Sequence, residues 1–469
     1  MIDLANVKQV HCIGIGGVGL SAIAGILLSE GYIVTGSDMS QNDKTEQLMK
    51  AGANIFLGHR AKNAEGADII VYSAAVTKDN PEMVRGMELG IPCVSRAQML
   101  GHLMKGCRNS IAVAGTHGKT TTTSMISIIL ENAKKDPTIL VGGNLSEIGG
   151  NVKVGKSQFF VTEACEYMDS FLELKPRIEI ILNIDSDHLD YFKDIEHIAS
   201  SFEKFAALVP EDGMIFAYDA NPFVNRIIQD LPNVITFGFN DKCDYYAEEI
   251  EFNADGMPAF EISSKGKKLC KLQLSIPGEH NILNALVATA CCSVLGIDIN
   301  DIKKTLEQYK GTQRRFDVLG ETQSGIRIVD DYAHHPAEIR ATIEAAINTP
   351  HKNIWCLFQP HTYTRTLALF DEFPSSFEKA DKVVLAEIYA AREKNVYQIS
   401  SKDLMAEIKR FYPEKEVYYF GSLEEIASFV YNNAQQGDLI ITMGAGDIYK
   451  AGEMILEKDA VTGRGEKIS

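Results

Sequence analysis

Eight consecutive residues, Ala114-Gly115-Thr116-His117-Gly118-Lys119-Thr120-Thr121, combine the groups that bind a nucleoside triphosphate. Glycines let a loop turn tightly enough to aim successive backbone N–H groups at phosphate oxygens, and a following helix adds its dipole. Lys119 supplies a mobile positive charge, and the Thr120 hydroxyl falls where it could ligate Mg²⁺. The common loop of this type has glycine five places before its second one, where Val113 stands here, so the turn is built differently. A second run, Gly14-Ile15-Gly16-Gly17-Val18-Gly19, matches GxGxxG, and Asp38 closes the next apolar stretch. That pattern provides a diphosphate site. An NAD(P)-dependent oxidoreductase is one reading of it. Beside a separate triphosphate loop, a nucleotide-linked substrate is the more natural occupant.

Other residues gather at the ends of apolar runs, where such sheets face their ligands. Glu163 ends one run and could reach a phosphate-held Mg²⁺, with Glu166 three residues on as a further carboxylate or a solvated loop acid. Asn183-Ile184-Asp185-Ser186-Asp187-His188 ends the next, and His188 reads as a metal ligand. A histidine there would leave the site tolerant of Mn²⁺. Asn281 and Asn284 share a helix face, and an amide offers the donor and acceptor that match adenine's N6/N7 edge. For Asn281 adenine contact is expected; for Asn284 a helix cap remains equally open. Arg314-Arg315-Phe316-Asp317 places a guanidinium where it could stabilise a transferring phosphoryl group. Asp331, His334, His335 and Glu338 follow a further strand, but adjacent histidines diverge and Pro336 breaks the spacing, which argues against a metal site. His361 and Arg365 form a polar cluster suited to an anion. Gly444-Ala445-Gly446-Asp447 is a third strand-to-helix turn, readable as tight packing alone.

These residues need an alternating β/α framework to position them. Strand-like runs are expected at 9–15, 32–35, 67–72, 110–113, 158–162, 178–183, 327–329, 353–358, 382–386 and 438–442, separated by helix-like stretches. Residues 245–274 read as a small antiparallel insertion, and a helix is expected over 280–295. The reading is α/β with mostly parallel sheets, in three blocks spanning residues 1–106, 107–313 and 314–469.

A chain of 469 residues exceeds one compact core. With 45% apolar and 23% charged residues it has an ordinary globular composition. The net charge of −17 argues against nucleic-acid or anionic-membrane binding, so anionic ligands must be held by local cations and N–H groups. Nine scattered cysteines without a CxxC pair fit a reducing, cytoplasmic setting better than zinc or disulfides. No signal-like or membrane-spanning run is expected.

Taken together, the segments IGIGGVGLS, GSD, AGTHGKTT, EACE, NIDSDHLD, GEHNILNA, TQRRFD, DDYAHHP and FQPHTYTRT resemble the Mur ligases, ATP-dependent amide-forming enzymes of peptidoglycan precursor synthesis. The resemblance runs nearly end to end, and the shortened triphosphate loop is the form that family carries. It implies an N-terminal Rossmann-like UDP-binding domain, a central P-loop-type ATPase and a C-terminal Rossmann-like domain, closing together over ATP. The glycine-run start and the YAHHP and QPHTYTRT segments point within the family to UDP-N-acetylmuramate and L-alanine as substrates. An alternative branch attaches a tripeptide to the same sugar nucleotide. By resemblance, Gly115, Thr116, His117, Gly118, Lys119, Thr120 and Thr121 hold the ATP phosphates, Asn281 and Asn284 the adenine, and Arg315 and Asp331 close the nucleotide site. Thr120, Glu163 and His188 would hold Mg²⁺. Gly14, Gly16, Gly17, Gly19, Ser37, Asp38 and Ser73 would hold the UDP moiety, with His335, His361 and Arg365 on the acceptor side. Lys119, His188, Arg315 and Asp331 are the catalytic candidates. EACEYMD departs from the family's more acidic version, which leaves Glu166 without an assigned role. Lys193 and Lys204 are expected to be surface residues rather than carbamylated, and the protein to be a monomer or weak homodimer.

Overall fold

The computed structural model describes residues 4, 6–73, 75–189 and 191–465, with side chains through 461. It is a three-domain α/β protein, with each domain built on its own sheet. By packing, the chain divides into two compact units: residues 1–184 with 198–236, and residues 185–197 with 237–469.

The first unit opens with a parallel sheet of β1 (Gln9–Ile13), β2 (Ile33–Asp38), β3 (Asn54–Leu57), β4 (Ile69–Tyr72) and β5 (Cys93–Ser95), in the order β3-β2-β1-β4-β5. The order reverses between β1 and β4, so the ligand crevice of such a sheet lies outside their carboxyl ends. Val10, Cys12 and Ile13 are fully buried, because helices cover both faces of a parallel sheet.

The same unit carries β6 (Asn109–Ala114), β7 (Thr138–Leu145), β8 (Gly150–Lys153), β9 (Phe159–Glu163), β10 (Ile178–Ile181), β11 (Met214–Tyr218) and the start of β12 (Val234–Gly238). They run in the order β12-β11-β10-β6-β9-β7-β8, with only β8 shown antiparallel. The helix Lys119–Asn132 behind β6 is buried from Thr120 to Leu130 despite its hydroxyls. Ser124 and Ser127 donate to the carbonyls four residues earlier, at 2.8 and 2.6 Å, so those hydroxyls are satisfied without water. Two buried groups are exceptions: the Thr123 hydroxyl has no hydrogen-bond partner, and Glu179 on β10 has a fully buried carboxyl with neither oxygen hydrogen-bonded. Burial pushes its pKa well above the ordinary value, which keeps it protonated.

In the second unit the end of β12 pairs in parallel with β13 (Tyr245–Phe252), which continues antiparallel through β14 (Pro258–Ser264) and β15 (Lys267–Gln273). The last sheet has the order β16-β17-β21-β18-β19-β20, from β16 (Asp317–Glu321), β17 (Arg327–Asp331), β18 (Ile354–Phe358), β19 (Lys382–Leu385), β20 (Glu416–Tyr419) and β21 (Leu439–Met443). Only edge strand β16 is antiparallel, and β18 and β21 are buried at every position.

Each expected strand is present, with ends shifted by a few residues. The first stops at Ile13 because Gly14 turns with φ +82°. Strands β3, β5, β7, β8, β11, β12, β16 and β20 were not expected. Most are short, or carry Asn, Gly, Lys or Glu within the apolar run. The antiparallel insertion is found as β13 to β15, and the helix Glu279–Val294 lies where one was expected.

Candidate functional site

The first glycine run is held in shape by β2. The N–H groups of Gly14 and Ile15 both donate to the Ser37 carbonyl, at 2.8 and 3.0 Å. The Gly16 N–H donates to Asp38 Oδ2 at 2.8 Å. A Cβ on Gly14 would lie 2.9 Å from Ser73 Oγ, and one on Gly16 2.9 Å from Asp38 Oδ2, so glycine is required for the loop to close against both. Gly17 caps the helix Val18–Ser29 without any side-chain acceptor on its first N–H groups, and Gly19 lies in its first turn. The structure therefore brings Gly14, Gly16, Gly17, Gly19, Ser37, Asp38 and Ser73 together at the carboxyl ends of β1, β2 and β4. Asp38 shapes the loop itself, a use different from the ribose contact of a dinucleotide fold. A cavity of about 210 Å³ continues from Gly19 past Arg96 to Gly142, Thr162 and Glu163.

The second loop follows β6. Gly115 turns at φ +142°, and a Cβ there would approach Leu182 Cβ to 2.9 Å. Asn183 clamps this loop: its carbonyl accepts from Thr116 N–H at 3.1 Å, and its side-chain oxygen from His117 N–H at 2.8 Å. Its amide donates back to the His117 carbonyl at 3.1 Å. Gly118, left-handed at φ +86°, starts the helix Lys119–Asn132 with no side-chain cap. Lys119 Nζ donates to the carbonyls of Gly115 and Thr116 at 2.5 and 3.1 Å, and to both Glu166 oxygens at 3.1 and 3.0 Å. Burial works to lower the lysine's pKa, but Glu166 and Cys165 outweigh it and hold the ammonium charged. Glu166 is 2% exposed, which removes the solvated-loop-acid alternative: Lys119 neutralises it beside the loop. Thr120 and Thr121 are buried in the first turn of the same helix. Glu163 ends β9, with Oε1 accepting from Gly142 N–H at 2.5 Å. Lys193 and Lys204 are exposed, as expected.

The second unit holds the remaining candidates. His188 is left-handed at φ +53°, its N–H donating to Asp187 Oδ1 at 2.6 Å. Asp187 also receives Arg365 Nη2 at 3.3 Å. Burial opposes its ionisation, yet His188, Arg365, His334 and His335 hold its carboxyl well below the usual range. His335 Nε2 lies 2.8 Å from the Ser186 carbonyl, while its other nitrogen caps the helix Pro336–Ile347. His361 stacks on Tyr389 and contacts Arg365 at 3.4 Å. Burial, then His334 and Arg365, lower its pKa to about 4, so the ring is neutral at pH 7.

Asn281 donates to the Pro277 carbonyl at 2.7 Å and accepts from Asn284 at 3.0 Å, both side chains being buried. Gly278 caps that helix, so neither asparagine does. Arg314 is a strut: it bonds Asp330 and the carbonyls of Gly444 and Gly446 at 2.7–3.1 Å, between the rings of Tyr332 and Tyr449. The Gly444 turn is thus a docking point for Arg314 as well as tight packing. Arg315, flanked by left-handed Arg314 and Phe316, lies over the Tyr332 ring. Asp331 accepts from the N–H groups of Phe316 and Ala333, both at 2.8 Å. Burial raises its pKa to about 6 against the pull of Arg315. His334 faces Glu338 at 3.3 Å, and among the described residues no three His, Cys, Asp or Glu side chains form a metal cluster.

Sequence reasoning missed the Asn183 clamp, although the NIDSDH segment marked its position. It also missed a buried group around Glu82, for which the sequence carries no motif.

Two glycine-built strand-to-helix turns on parallel sheets, one armed with a lysine, are the marks of a nucleotide-dependent enzyme of the α/β class. The chain belongs to the Mur ligase family. Residues 9–108 match its domain described as Mur ligase family, catalytic domain; residues 113–292 match the Mur ligase middle domain, and residues 314–446 the Mur ligase, glutamate ligase domain. The chain is similar to the UDP-N-acetylmuramate–L-alanine ligase of Alkaliphilus metalliredigens, 52% identical over 97% of this chain and 98% of that one. The enzyme of the same name from Caldanaerobacter subterraneus is 50% identical, over 98% and 99%. The crystal structure of a UDP-N-acetylmuramate–alanine ligase from Thermotoga maritima aligns with TM-score 0.80 at 30% identity, over 97% and 99%. A murein peptide ligase from Psychrobacter arcticus aligns at 0.70 and 25% identity, over 96% and 98%.

Proposed function

We propose that this protein joins the lactyl carboxylate of UDP-N-acetylmuramate to the amine of L-alanine, converting ATP to ADP and phosphate, in peptidoglycan precursor synthesis. The observation that carries this is the intact Lys119 cradle in a chain half identical, over nearly its whole length, to ligases of that name.

A carboxylate is a poor electrophile, so it must be activated before an amine can attack. The carboxylate oxygen attacks the γ-phosphorus, ADP leaves, and an acyl phosphate results. The amine then attacks the acyl carbon, and the tetrahedral intermediate expels phosphate to leave the amide. Lys119 would exchange Glu166 and loop carbonyls for β- and γ-phosphate oxygens, neutralising charge as it shifts to the leaving ADP. The N–H groups of residues 115–121 would cradle the phosphates, and Asn281 and Asn284 would hold adenine. Arg315 and Asp331 would complete the nucleotide site. Mg²⁺, where bound, would supply charge neutralisation between the phosphates, and Thr120, Glu163 and His188 would hold it. These are oxygen and imidazole donors that suit Mg²⁺ and tolerate Mn²⁺. The loop of Gly14, Gly16, Gly17 and Gly19, with Ser37, Asp38 and Ser73, would bind the UDP diphosphate. Neutral His361, with His335 and Arg365, would serve the acceptor side.

No helix among the described residues is long and apolar enough to cross a membrane, and all nine cysteines are free. The proposal places the enzyme in the cytoplasm, as a monomer or weak homodimer. The test measures phosphate release with ATP, Mg²⁺ and UDP-N-acetylmuramate while varying L-alanine, L-serine, glycine and the tripeptide. Alanine-dependent release is expected. Release with the tripeptide alone would assign the protein to the recycling branch, and no amine-dependent release would overturn the proposal.

A further inference from the structure

The first domain contains a buried polar cluster that the reaction scheme leaves unused. Glu82 stands in the first turn of the helix Pro81–Glu88, where a carboxylate complements the helix dipole. Its side chain is fully buried. Ser37 Oγ donates to Oε2 at 2.5 Å, while Asn63 Nδ2 and Arg60 N–H donate to Oε1 at 2.5 and 3.2 Å. Two imidazoles face the same oxygen, His11 Nε2 at 3.5 Å and His59 Nδ1 at 3.4 Å. His11 is itself fully buried and is fixed at its other nitrogen by Thr35 Oγ1 at 2.8 Å. Burial alone would raise the Glu82 pKa, but His11 and the bonds from Ser37 and Asn63 hold it at about 2. A charge this deep persists only while donors hold it, here those of Ser37, Asn63 and Arg60, with the His11 ring close by without a hydrogen bond from Nε2.

The cluster converges on Ser37. The only proton of its hydroxyl goes to Glu82, so it accepts from His59 Nδ1 at 2.9 Å. Its carbonyl holds the N–H groups of Gly14 and Ile15, the turn that opens the glycine loop. Glu82 thereby ties β1, β2 and the segment after β3 to the one residue on which that turn hangs.

We propose that Glu82 is a positioning residue for the sugar-nucleotide site, locking Ser37 so that the Gly14–Gly19 loop is preformed for a nucleotide diphosphate. The proposal rests on the reading of that loop as the UDP site. A preformed cradle spares the ligand the cost of ordering it, so loosening it weakens binding of one substrate only.

The test compares Glu82→Gln with wild type by calorimetric binding of UDP-N-acetylmuramate and by steady-state kinetics. Kd and KM for the sugar nucleotide should rise about tenfold, with kcat and KM for ATP changing less than about twofold. Asn63→Ala, which removes one donor to Glu82 well away from the loop, should raise the same Kd about threefold and covers the case where the glutamine variant does not fold. An unchanged Kd in the variants, or a proportional loss of all parameters as melting temperature falls, overturns the proposal. Asp38→Ala separates the underlying reading. If it weakens sugar-nucleotide binding while Glu82→Gln does not, Glu82 alone fails. If the wild type binds no UDP-N-acetylmuramate, both fail.

Discussion

The two phosphate loops share one plan, a parallel strand turning through glycines into a helix, yet differ in how their charge is managed. Around Gly14–Gly17 the side chains that hydrogen-bond to the turn are anionic or neutral, with Arg96 packed only against Gly19 beyond it: Asp38 accepts from Gly16, and Ser37 is held by Glu82. Around Lys119 a cation is drawn into the cradle and balanced by Glu166 and two carbonyls. The first loop, on the proposed function, would hold a ligand chiefly by geometry. On the proposed function the second also carries a charge that would change partners during phosphoryl transfer, and a side chain with that duty has to be kept charged while it waits.

The largest effect should separate the loops outright. Lys119→Ala should lower kcat by about 10³-fold or more while UDP-N-acetylmuramate binding stays within about twofold, read by phosphate release and calorimetry. Equal loss of both would erase the distinction. Glu166→Ala should destabilise the ligand-free protein by about 3 kcal/mol, because it leaves a buried ammonium unpaired. Stabilisation by ATP should grow correspondingly in thermal melts; an unchanged ligand-free melt would mean that the pair is not what keeps the lysine in place. Asp38→Ala, by contrast, should raise KM for the sugar nucleotide about tenfold and leave KM for ATP unmoved. The smallest effect concerns His361, proposed for the acceptor side. The folded-state pKa of His361, about 4, lies below its ordinary 6.5, so the unfolded chain takes up the proton first. Its contribution to stability is complete above pH 6.5 and is lost as pH falls toward 4. His361→Gln should flatten that part of a urea-midpoint profile, and an unaltered slope would place the titration elsewhere.

Much of this contrast was legible in the residues themselves. Glycines at fixed spacing after an apolar run mark both loops, with lysine and threonine marking the second alone, and Glu163 and the Asn183–His188 segment mark strand ends. Many apolar runs announced themselves; glycine-interrupted Thr138–Leu145 and polar, short Gly150–Lys153 did not, since their pairing comes from tertiary partners, and apolar Met214–Tyr218 was also missed. Charge pairing was the least visible. Glu166 resembles any loop acid until burial forces it onto Lys119, and Arg314 and Arg315 are neighbours whose duties diverge because one is flanked by two rings. Glu82, His11 and His59 are far apart in sequence and meet only when the sheet forms.

Glu179 leaves room for engineering. A protonated acid with both oxygens unpartnered, set in β10 between Ala112 and Ile215, contributes little to the sheet and costs stability as pH rises above its unfolded value. An apolar residue of similar volume there should make the enzyme hardier, most visibly in alkaline buffers, without touching either phosphate loop. The central sheet holds unused thermal tolerance at a single position.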